Sequence, residues 1–421
     1  MGDSTNVTDQ DDAAPTVQLP NDQDATGRSF DDDALELLRD VLNSGTLTAT
    51  KGVMTPALEA EFARLIGVRH AIACSSGTAA IHAAVASLEL EPGDEVITTS
   101  VTDMGALAPL LYQGLIPVFA DVDPLTGNIT RDTVEDAWSD RTRAVIATHL
   151  FGNPVDVPSV QALAQPRGAV VIEDAAQSFL ARKQGRLAGT MGSLGCFSFQ
   201  QGKHITSGEG GIVTTNDDGL AHQVRLFVNK SWPYGEPAPD HRKLGLNYRI
   251  TELQSAVLRA QLRHLPEFVA HRQQMATRFA QGLADVPGVL VPATVEGDEH
   301  VYWRYPLVVD RIEIPGGVDA VAKGFRARGV AAAPRYIGKP AFRCGVFADR
   351  RTFGSSQWPF TLARPEALDY SEERFPGTFA FLDSVVVVPW NEKFTFYHVD
   401  QLVDSVRDSV AESLGQRVGA S

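Results

Sequence analysis

One lysine, Lys203, stands in a segment that is otherwise rich in glycine and in small or polar residues. The segment reads Gly195-Cys196-Phe197-Ser198-Phe199-Gln200-Gln201-Gly202-Lys203-His204-Ile205-Thr206-Ser207-Gly208-Glu209-Gly210-Gly211. Glycines let the backbone approach a flat molecule closely, and a lysine amine in such a pocket can form a Schiff base with an aldehyde. By itself the segment also suits an exposed lysine beside a turn, so its interpretation depends on two further stretches.

The first of these stretches is an apolar run that ends in acidic residues. It reads Ala169-Val170-Val171-Ile172-Glu173-Asp174-Ala175-Ala176-Gln177-Ser178, which predicts a buried strand whose carboxyl end opens into a site. Pyridoxal phosphate (PLP) carries an aldehyde, and it withdraws electrons while a carboxylate keeps its ring nitrogen protonated. Asp174 could supply that carboxylate; a helix-capping or loop aspartate is the alternative.

The second stretch contains a turn rich in hydroxyl groups. It reads His70-Ala71-Ile72-Ala73-Cys74-Ser75-Ser76-Gly77-Thr78-Ala79-Ala80-Ile81-His82-Ala83-Ala84-Val85 and predicts a short strand, a tight turn and an alanine-rich helix. Free amides and hydroxyls at a helix start bind phosphate well, although serine and threonine there are most often only caps. The turn, the acid and the lysine, in this order, together predict a PLP site.

With these stretches, the chain resembles the DegT/StrS-type aminotransferases that act on sugars and cyclitols, a PLP-dependent branch of the aspartate-aminotransferase fold. The resemblance begins at about Leu35, runs to the C-terminus and is most specific in Ser75-Ser76-Gly77-Thr78-Ala79-Ala80, Glu173-Asp174-Ala175-Ala176-Gln177-Ser178, Ser198-Phe199-Gln200-Gln201-Gly202-Lys203, Ser207-Gly208-Glu209-Gly210-Gly211 and Leu246-Asn247-Tyr248-Arg249-Ile250-Thr251-Glu252-Leu253-Gln254-Ser255-Ala256. It implies that Lys203 links covalently to PLP and shuttles a proton, and that Asp174 pairs with the ring nitrogen.

The resemblance also implies the remaining contacts with the cofactor. Gln177 would contact the side of the ring that bears the hydroxyl. Asn247 would reach the phosphate of the cofactor in a partner subunit, so a homodimer with shared active sites is expected. The phosphate turn and the strand before the lysine would supply the other cofactor-binding residues, which are Ser76, Gly77, Thr78 and Ser198.

One position departs from the family pattern. Family members usually stack an aromatic side chain on the PLP ring, in a stretch that here reads Thr99-Ser100-Val101-Thr102-Asp103-Met104-Gly105-Ala106. Asp103 takes the aromatic position. An acid cannot stack as an aromatic ring does, so Met104 or another side chain would have to cover that face, and the departure could mark an unusual substrate.

Four residues are candidates for substrate contact, each with a structural alternative. His149 ends a predicted strand near the site, and local packing is its alternative. Arg249 could bind the carboxylate of an amino donor by a two-pronged contact, or form a structural ion pair. Arg335 and Tyr336 belong to a loop shaped by glycine and proline that could face a polar substrate, or be an exposed basic turn. His204 adjoins the lysine but is expected to point the other way and to be structural.

Composition limits the possible partners and locations. The 421 residues carry 37 lysines and arginines against 52 aspartates and glutamates, a net charge of −15, which argues against nucleic acid or an anionic membrane as a partner. Three cysteines without a CxxC pair predict neither disulfides nor structural zinc and favour the reducing cytoplasm. HExxH and similar metal patterns are absent, so no metal site is expected.

Short apolar runs alternate with helical stretches along most of the chain, which predicts an α/β fold. The expectation is PLP-dependent transferase fold type I: a mostly parallel seven-stranded sheet flanked by helices, with a smaller α+β domain at the C-terminus. Three segments are predicted, namely a disordered acidic tail over 1–28, a large PLP-binding domain over 29–265 and a small domain over 266–421. Pro266 is expected to separate a helix over Thr251–Leu265 from another over Glu267–Leu283.

The predicted activity is transfer of an amino group from glutamine or glutamate to a ketone of a sugar or cyclitol. The pair Gln200-Gln201 resembles antibiotic-pathway branches of the family, including inosose aminotransferases, more than nucleotide-sugar enzymes. Three alternatives stay open. A family branch of sugar dehydratases has histidine in place of the lysine, which Lys203 argues against; the others are a PLP-dependent oxidase or synthase, and a non-catalytic sensor that binds PLP or an aminosugar.

Overall fold

A seven-stranded sheet forms the centre of the larger domain. A computed structural model of the chain describes residues 17–293 and 295–415. The sheet strands are β1 (His70–Cys74), β2 (Glu95–Thr99), β3 (Ile116–Ala120), β4 (Thr142–Thr148), β5 (Val170–Asp174), β8 (Leu194–Ser198) and β9 (Gly211–Thr215), and a two-stranded hairpin, β6 (Arg182–Lys183) and β7 (Arg186–Leu187), precedes β8. Their order is β1-β9-β8-β5-β4-β2-β3. Only β9 runs antiparallel to its neighbours, which confirms the predicted mostly parallel sheet.

The strands are apolar along their whole length because both faces of the sheet are covered. Successive residues point to opposite faces of a strand. In β4, Val145 belongs to one buried cluster, whereas Ile146 belongs to a second cluster on the other face. In β5, Val171 and Ile172 divide between the same two clusters. This arrangement is typical of a parallel sheet between two helical layers.

Helices cover the sheet and continue into the second domain. They are α1 (Asp32–Ser44), α2 (Met54–Ile66), α3 (Gly77–Ala86), α4 (Ala108–Tyr112), α5 (Arg131–Asp136), α6 (Val157–Ala164), α7 (Asp218–Val228), α8 (Glu252–Gly282), α9 (Gly317–Ala327), α10 (Gly345–Ala348), α11 (Pro376–Ser384) and α12 (Phe396–Ser413). Several begin with a side-chain cap; Ser76, for example, accepts a hydrogen bond from the Ala79 amide at the start of α3. Within residues 17–293 and 295–415, no helix combines the length and the apolar character needed to cross a membrane.

The second domain is built on a smaller antiparallel sheet. Its strands are β10 (Val289–Leu290), β11 (Arg304–Val309), β12 (Ala333–Pro334) and β13 (Val385–Pro389), in the order β10-β11-β13-β12. The C-terminal part of α8 packs with α9 and α12 on one face of this sheet, around the buried ring of Trp390. The other face meets the core of the larger domain through Val385 and Val387.

The helix that joins the two domains differs from the prediction. The expected break at Pro266 is wrong, because α8 is one helix of 31 residues with Pro266 inside it. Proline removes one backbone hydrogen bond from a helix. Pro266 is exposed, so its ring stands on the side of the helix where solvent can take the place of the lost bond.

The predicted disordered tail is corrected in its second half. Residues 1–16 lie outside the described residues, but residues 17–28 pack against both domains. The Val17 amide donates to the Arg328 carbonyl, and the side chains of Asp22 and Arg28 are buried. Polar composition suggested disorder, but these polar groups have buried partners far away in the sequence, so they are paired rather than solvated.

Candidate active site

The predicted site residues meet at one edge of the large sheet. β1, β2, β4, β5 and β8 are mutually parallel, so their carboxyl ends lie on the same edge, where α/β proteins bind ligands. Ser76 and Asp103 follow two of these ends, whereas Asp174 and Ser198 are the last residues of β5 and β8. Lys203 lies in the loop between β8 and β9, which starts at that edge.

The amine of Lys203 is partly buried in this cleft and lies beside an aromatic ring. Its Nζ is 4.3 Å from the centre of the Trp303 ring, and the Trp303 Nε1 donates to the Gly202 carbonyl at 2.6 Å. Burial lowers the pKa of Lys203 to about 8, although the charge of Asp174 opposes this shift. A lowered pKa leaves part of the amine neutral near pH 7, as a nucleophile or a base requires.

Asp174 is a buried carboxylate with few partners. Burial raises its pKa, while a hydrogen bond from the Ala176 amide and the charge of Lys203 work in the other direction. Its Oδ1 accepts that amide at 3.1 Å, and Oδ2 has no partner among the described residues. A buried carboxylate with a free oxygen gains from a cationic hydrogen-bond donor, such as a protonated ring nitrogen.

The start of α3 forms a cradle against the end of β8. A Cβ at Gly77 would come 2.6 Å from the Cβ of Ser198, and a Cβ at Gly211 would come 2.2 Å from the Ser76 carbonyl oxygen. Glycine is therefore required here for close approach of the backbone. The first-turn amides of Gly77 and Thr78 have no partner in the described part of the chain, and such amides bind phosphate oxygens.

These groups fit PLP in their chemistry. The amine of Lys203, the free oxygen of Asp174 and the amides of Gly77 and Thr78 provide a nucleophile, an acceptor for a ring N–H and a phosphate cradle. Within residues 17–293 and 295–415, the Lys203 Nζ makes no hydrogen bond, so it is available to an aldehyde. The sequence prediction brought these residues together by resemblance, and the structure places them on one sheet edge.

Gln177 and Tyr336 lie next to each other at this edge. The Gln177 Oε1 accepts the Phe151 amide at 2.6 Å, and the amide nitrogen of Gln177 lies 3.4 Å from the Tyr336 hydroxyl. The Tyr336 ring packs edge-on against Phe151, with ring centres 4.8 Å apart. Burial raises the pKa of Tyr336 to about 12, so its hydroxyl keeps its proton near pH 7 and can donate a hydrogen bond.

Arg335 does not lie in the site, in contrast to the prediction. Its guanidinium forms a two-pronged ion pair with Asp319 at 2.7 and 2.6 Å. Arg335 and Tyr336 have φ values of 60° and 47°, an unusual conformation for side chains of this size. This turn sends the two neighbouring side chains to different partners, so only Tyr336 reaches Gln177.

His149 is also held away from any substrate. Its Nδ1 accepts the Val155 amide at 2.9 Å, so Nε2 carries the proton and donates to Glu173 at 3.0 Å. The side chain is fully buried. Both ring nitrogens are occupied, which supports the packing alternative and not substrate contact.

Glu173 is the buried anchor beneath the site, and the sequence analysis gave it no role. Its two oxygens accept the amides of Gly189, Met191 and Gly192 at 2.9, 2.7 and 2.7 Å, in addition to His149. A buried carboxylate with four donors is well satisfied. Because Glu173 precedes Asp174 directly, this network fixes the end of β5 that carries Asp174.

Asn247 and Arg249 flank Tyr248, whose backbone contacts the phosphate turn. The Ser75 amide donates to the Tyr248 carbonyl at 2.7 Å, so the residue on either side of Tyr248 is adjacent to that turn. The Arg249 Nη1 is buried and has no hydrogen-bond partner among the described residues. Asn247 is exposed.

Asp103 is exposed at the rim, where the family pattern has an aromatic residue. Its Oδ1 accepts the Gly105 amide at 2.7 Å, and its charge affects the pKa of Lys203, Asp174 and Tyr336. Met104 packs into a separate apolar cluster and does not replace the missing ring. His204 is fully buried, its Nε2 lies 3.1 Å from the Val301 carbonyl, and burial lowers its pKa well below the usual value, as a structural histidine requires.

Comparison with known proteins agrees with this geometry. The family model of the DegT/DnrJ/EryC1/StrS aminotransferase family matches residues 28–407. The UDP-N-acetyl-3-dehydro-alpha-D-glucosamine 3-aminotransferase of Acidithiobacillus ferrooxidans is 38% identical over 282 residues, which are 66% of this chain and 73% of that protein.

Solved structures show the same fold. The aminotransferase from Psychrobacter cryohalolentis has a TM-score of 0.81 and 27% identity, over 92% of this chain and 99% of that one. DesV of S. venezuelae, solved with a ketimine intermediate, has a TM-score of 0.78 and 28% identity, over 92% and 95%. The chain therefore belongs to the DegT/DnrJ/EryC1/StrS aminotransferase family and is a PLP-dependent aminotransferase of sugar substrates.

Proposed function

We propose that this enzyme transfers an amino group from glutamine or glutamate to a ketone of a sugar or cyclitol, in the biosynthesis of an aminoglycoside, another antibiotic or another aminosugar. The observation that carries the proposal is the amine of Lys203, which makes no hydrogen bond among the described residues and has a pKa of about 8. PLP, when bound, withdraws electrons from the carbon that carries the amino group.

The roles of the site residues follow from their surroundings. Lys203 would hold the cofactor, and its amine, when neutral, would accept a proton from the substrate carbon and carry it in the transfer. The free oxygen of Asp174 would accept a hydrogen bond from the protonated ring nitrogen. Gln177 and Tyr336 line the site on the side that would face the hydroxyl group of the PLP ring.

The remaining cofactor contacts are assigned to the cradle and to the partner subunit. The phosphate is bound by Ser76, Gly77, Thr78 and Ser198, where two free amides and the close approach at Gly77 support the assignment. The exposed side chain of Asn247 completes the site of a partner subunit in a homodimer. The three cysteines are free, and we place the enzyme in the cytoplasm.

Arg249 suits the carboxylate of the donor. A buried guanidinium nitrogen without a partner is costly, and a carboxylate binds arginine by two parallel hydrogen bonds. Glutamine and glutamate both carry such a group at the α-carbon. The exposed carboxylate of Asp103, in place of an aromatic ring, favours an acceptor rich in hydroxyl or amino groups on that side.

The alternative activities are less well supported. The dehydratase branch would need a histidine in place of Lys203, and His204 is buried and bonded to the Val301 carbonyl instead. A non-catalytic sensor has no use for an amine with a lowered pKa beside Asp174. Neither the dehydratase nor the sensor has a specific observation in its favour.

The test combines a chemical label with a substrate panel. Borohydride reduction of the PLP-loaded protein should attach the cofactor to Lys203, as read by peptide mass. Glutamine or glutamate should then change the absorption of the bound cofactor and release the keto acid. Inososes, keto-aminoglycosides and nucleotide-linked ketosugars, added in turn, should identify the acceptor. A label on another lysine, or absorption unchanged by every amino acid, would contradict the proposal.

A further inference from the structure

We propose that Arg28 is a positioning residue of the active site, which holds the loop that presents Lys203. The inference rests on the role proposed for Lys203. Residues 17–28, called here the N-terminal strap, contact the loop formed by residues 199–210 through Asp22 and Arg28. Arg28 is the end of the strap that reaches the loop, and its side chain is only 3% exposed.

One guanidinium binds several carbonyls of this loop. The Arg28 Nη2 donates to the Gln201 carbonyl at 2.9 Å and to the Lys203 carbonyl, and Nη1 lies 3.4 Å from the His204 carbonyl. The carbonyls on both sides of Gly202 are therefore fixed by the same side chain. Lysine could make only part of these contacts, because only arginine offers a rigid fork of donors.

The same guanidinium is fixed by the second domain. The Arg28 Nη1 donates to Glu392 Oε1 at 2.9 Å, and the other oxygen of Glu392 accepts the Nε and Nη2 of Arg272 at 3.1 and 2.5 Å. All three side chains are nearly inaccessible to water. The buried carboxylate of Glu392 thus accepts hydrogen bonds from both guanidiniums.

Arg272 binds the backbone next to Trp303, the residue whose ring lies beside Lys203. Its Nη1 donates to the carbonyls of Tyr302 and Trp303 at 3.1 and 3.3 Å. The Trp303 ring is the one that lies over the Lys203 Nζ. Glu392 thus connects Arg28, which binds the Lys203 loop, to Arg272, which binds the Trp303 backbone. The distance between the Lys203 amine and the Trp303 ring therefore depends on the contacts of both arginines with Glu392.

The strap has other anchors besides Arg28, although the carboxylate of Asp22 also lies 3.7 Å from the Arg28 guanidinium. The Gln201 Nε2 donates to the Asp22 carbonyl at 2.8 Å, and Arg304 donates to the Asp22 carboxylate at 2.6 Å. Loss of Arg28 should therefore loosen the loop without detaching the strap. Displacement of a reacting group by about 1 Å can cost on the order of 100-fold in rate, so a loosened Lys203 should lower kcat more than KM.

The experiment compares Arg28→Gln and Arg28→Lys with Arg39→Gln, which removes the same charge from an exposed position on α1. The primary measurement is hydrogen exchange of the peptide covering 199–207 in the PLP-loaded enzyme. The Lys203 amide donates to the Gln200 carbonyl and the Gln201 amide to the Gly208 carbonyl, so both report opening of the loop. The other measurements are kcat, KM and the pH midpoint of the absorption of bound PLP.

We expect Arg28→Gln to speed exchange in this peptide by about 10-fold or more and to lower kcat by about 10- to 100-fold, with KM changed less than about threefold. The pH midpoint of the absorption should move, because the amine then has a different environment. Arg28→Lys should give intermediate values, and Arg39→Gln should match the wild type. If Arg28→Gln does not fold, the comparison of Arg28→Lys with Arg39→Gln decides by the same measurements.

Exchange and kcat equal to those of Arg39→Gln would overturn the proposal. A uniform rise of exchange over the whole chain, with an unmoved absorption midpoint, would do so as well, since it would show only a general loss of stability. Failure of the proposed function is recognised separately, because borohydride would then leave Lys203 of the wild type unlabelled. Hydrogen exchange of the 199–207 peptide would still show whether Arg28 stabilises the loop.

Discussion

Lys203 should destabilise the folded protein near pH 7 when the cofactor is removed. Its pKa falls from 10.5 to about 8 on folding, mainly through burial. A fall of the pKa by about 2.5, at about 1.4 kcal/mol for each, gives an upper limit of about 3.5 kcal/mol. Lys203 as a whole residue is only partly buried, so about 1–2 kcal/mol is the better expectation. Lys203→Met, which removes the charge and keeps the length, should be more stable than the wild type by that amount.

The dependence on pH has a definite sign. Between pH 8 and 10.5 the unfolded chain holds the proton that the folded chain has lost, so the stability of the wild type rises with pH relative to the variant. The advantage of Lys203→Met should be complete below pH 8 and should disappear by about pH 10.5. Urea unfolding of both apoproteins at pH 7, 8.5 and 10 measures it.

An exposed lysine provides the control for this prediction. Lys51→Met removes the same charge from an exposed position, and its effect should be small and independent of pH over the same range. A wild type that is more stable than Lys203→Met at pH 7, or a difference that stays constant to pH 10, would refute the argument that burial of the charged amine is costly.

Three further predictions concern the surroundings of the amine. Asp174→Asn should still accept the cofactor on Lys203, but kcat should fall by about 100-fold or more because the ring nitrogen loses its carboxylate; peptide mass after reduction and steady-state rates check both parts. Glu173→Gln sets an amide group against backbone donors and the Nε2 of His149, and should lower the free energy of unfolding by about 2–4 kcal/mol, whereas an unchanged urea midpoint would contradict the network. Gly77→Ala puts a methyl group against Ser198 and should weaken PLP binding at least about 10-fold, measured by absorption titration; unaltered affinity would place the phosphate elsewhere.

The sheet could be predicted because its strands carry a local signal. Strands such as Glu95–Thr99 and Gly211–Thr215 are short β-branched runs buried on both faces, and such runs are recognisable from composition. The fold type, the enzyme class and the cofactor are likewise confirmed by the family match. Pro266 misled the prediction, because sequence alone does not show that its side of α8 is exposed.

The contacts that hold the site together could not be predicted in this way. Arg28 and Glu392 are 364 residues apart, and Trp303 meets the Lys203 loop across 101 residues. No periodicity connects such positions, and polar residues near a terminus read as solvated. Arg335 shows the converse. Its charge suited a polar substrate, but its guanidinium pairs with Asp319 on α9, and nothing in the sequence connected these two residues.

The single helix that passes from one domain into the other limits how this protein can be altered. Each residue of an α-helix adds 1.5 Å and turns the chain by about 100°. Inserting or deleting one residue between Glu252 and Arg272 would therefore rotate the smaller domain, with Arg272 and Glu392, relative to the sheet and withdraw Glu392 from Arg28. Hybrids with related enzymes should tolerate exchanged loops, but only when the segment of α8 between these two positions keeps its number of residues.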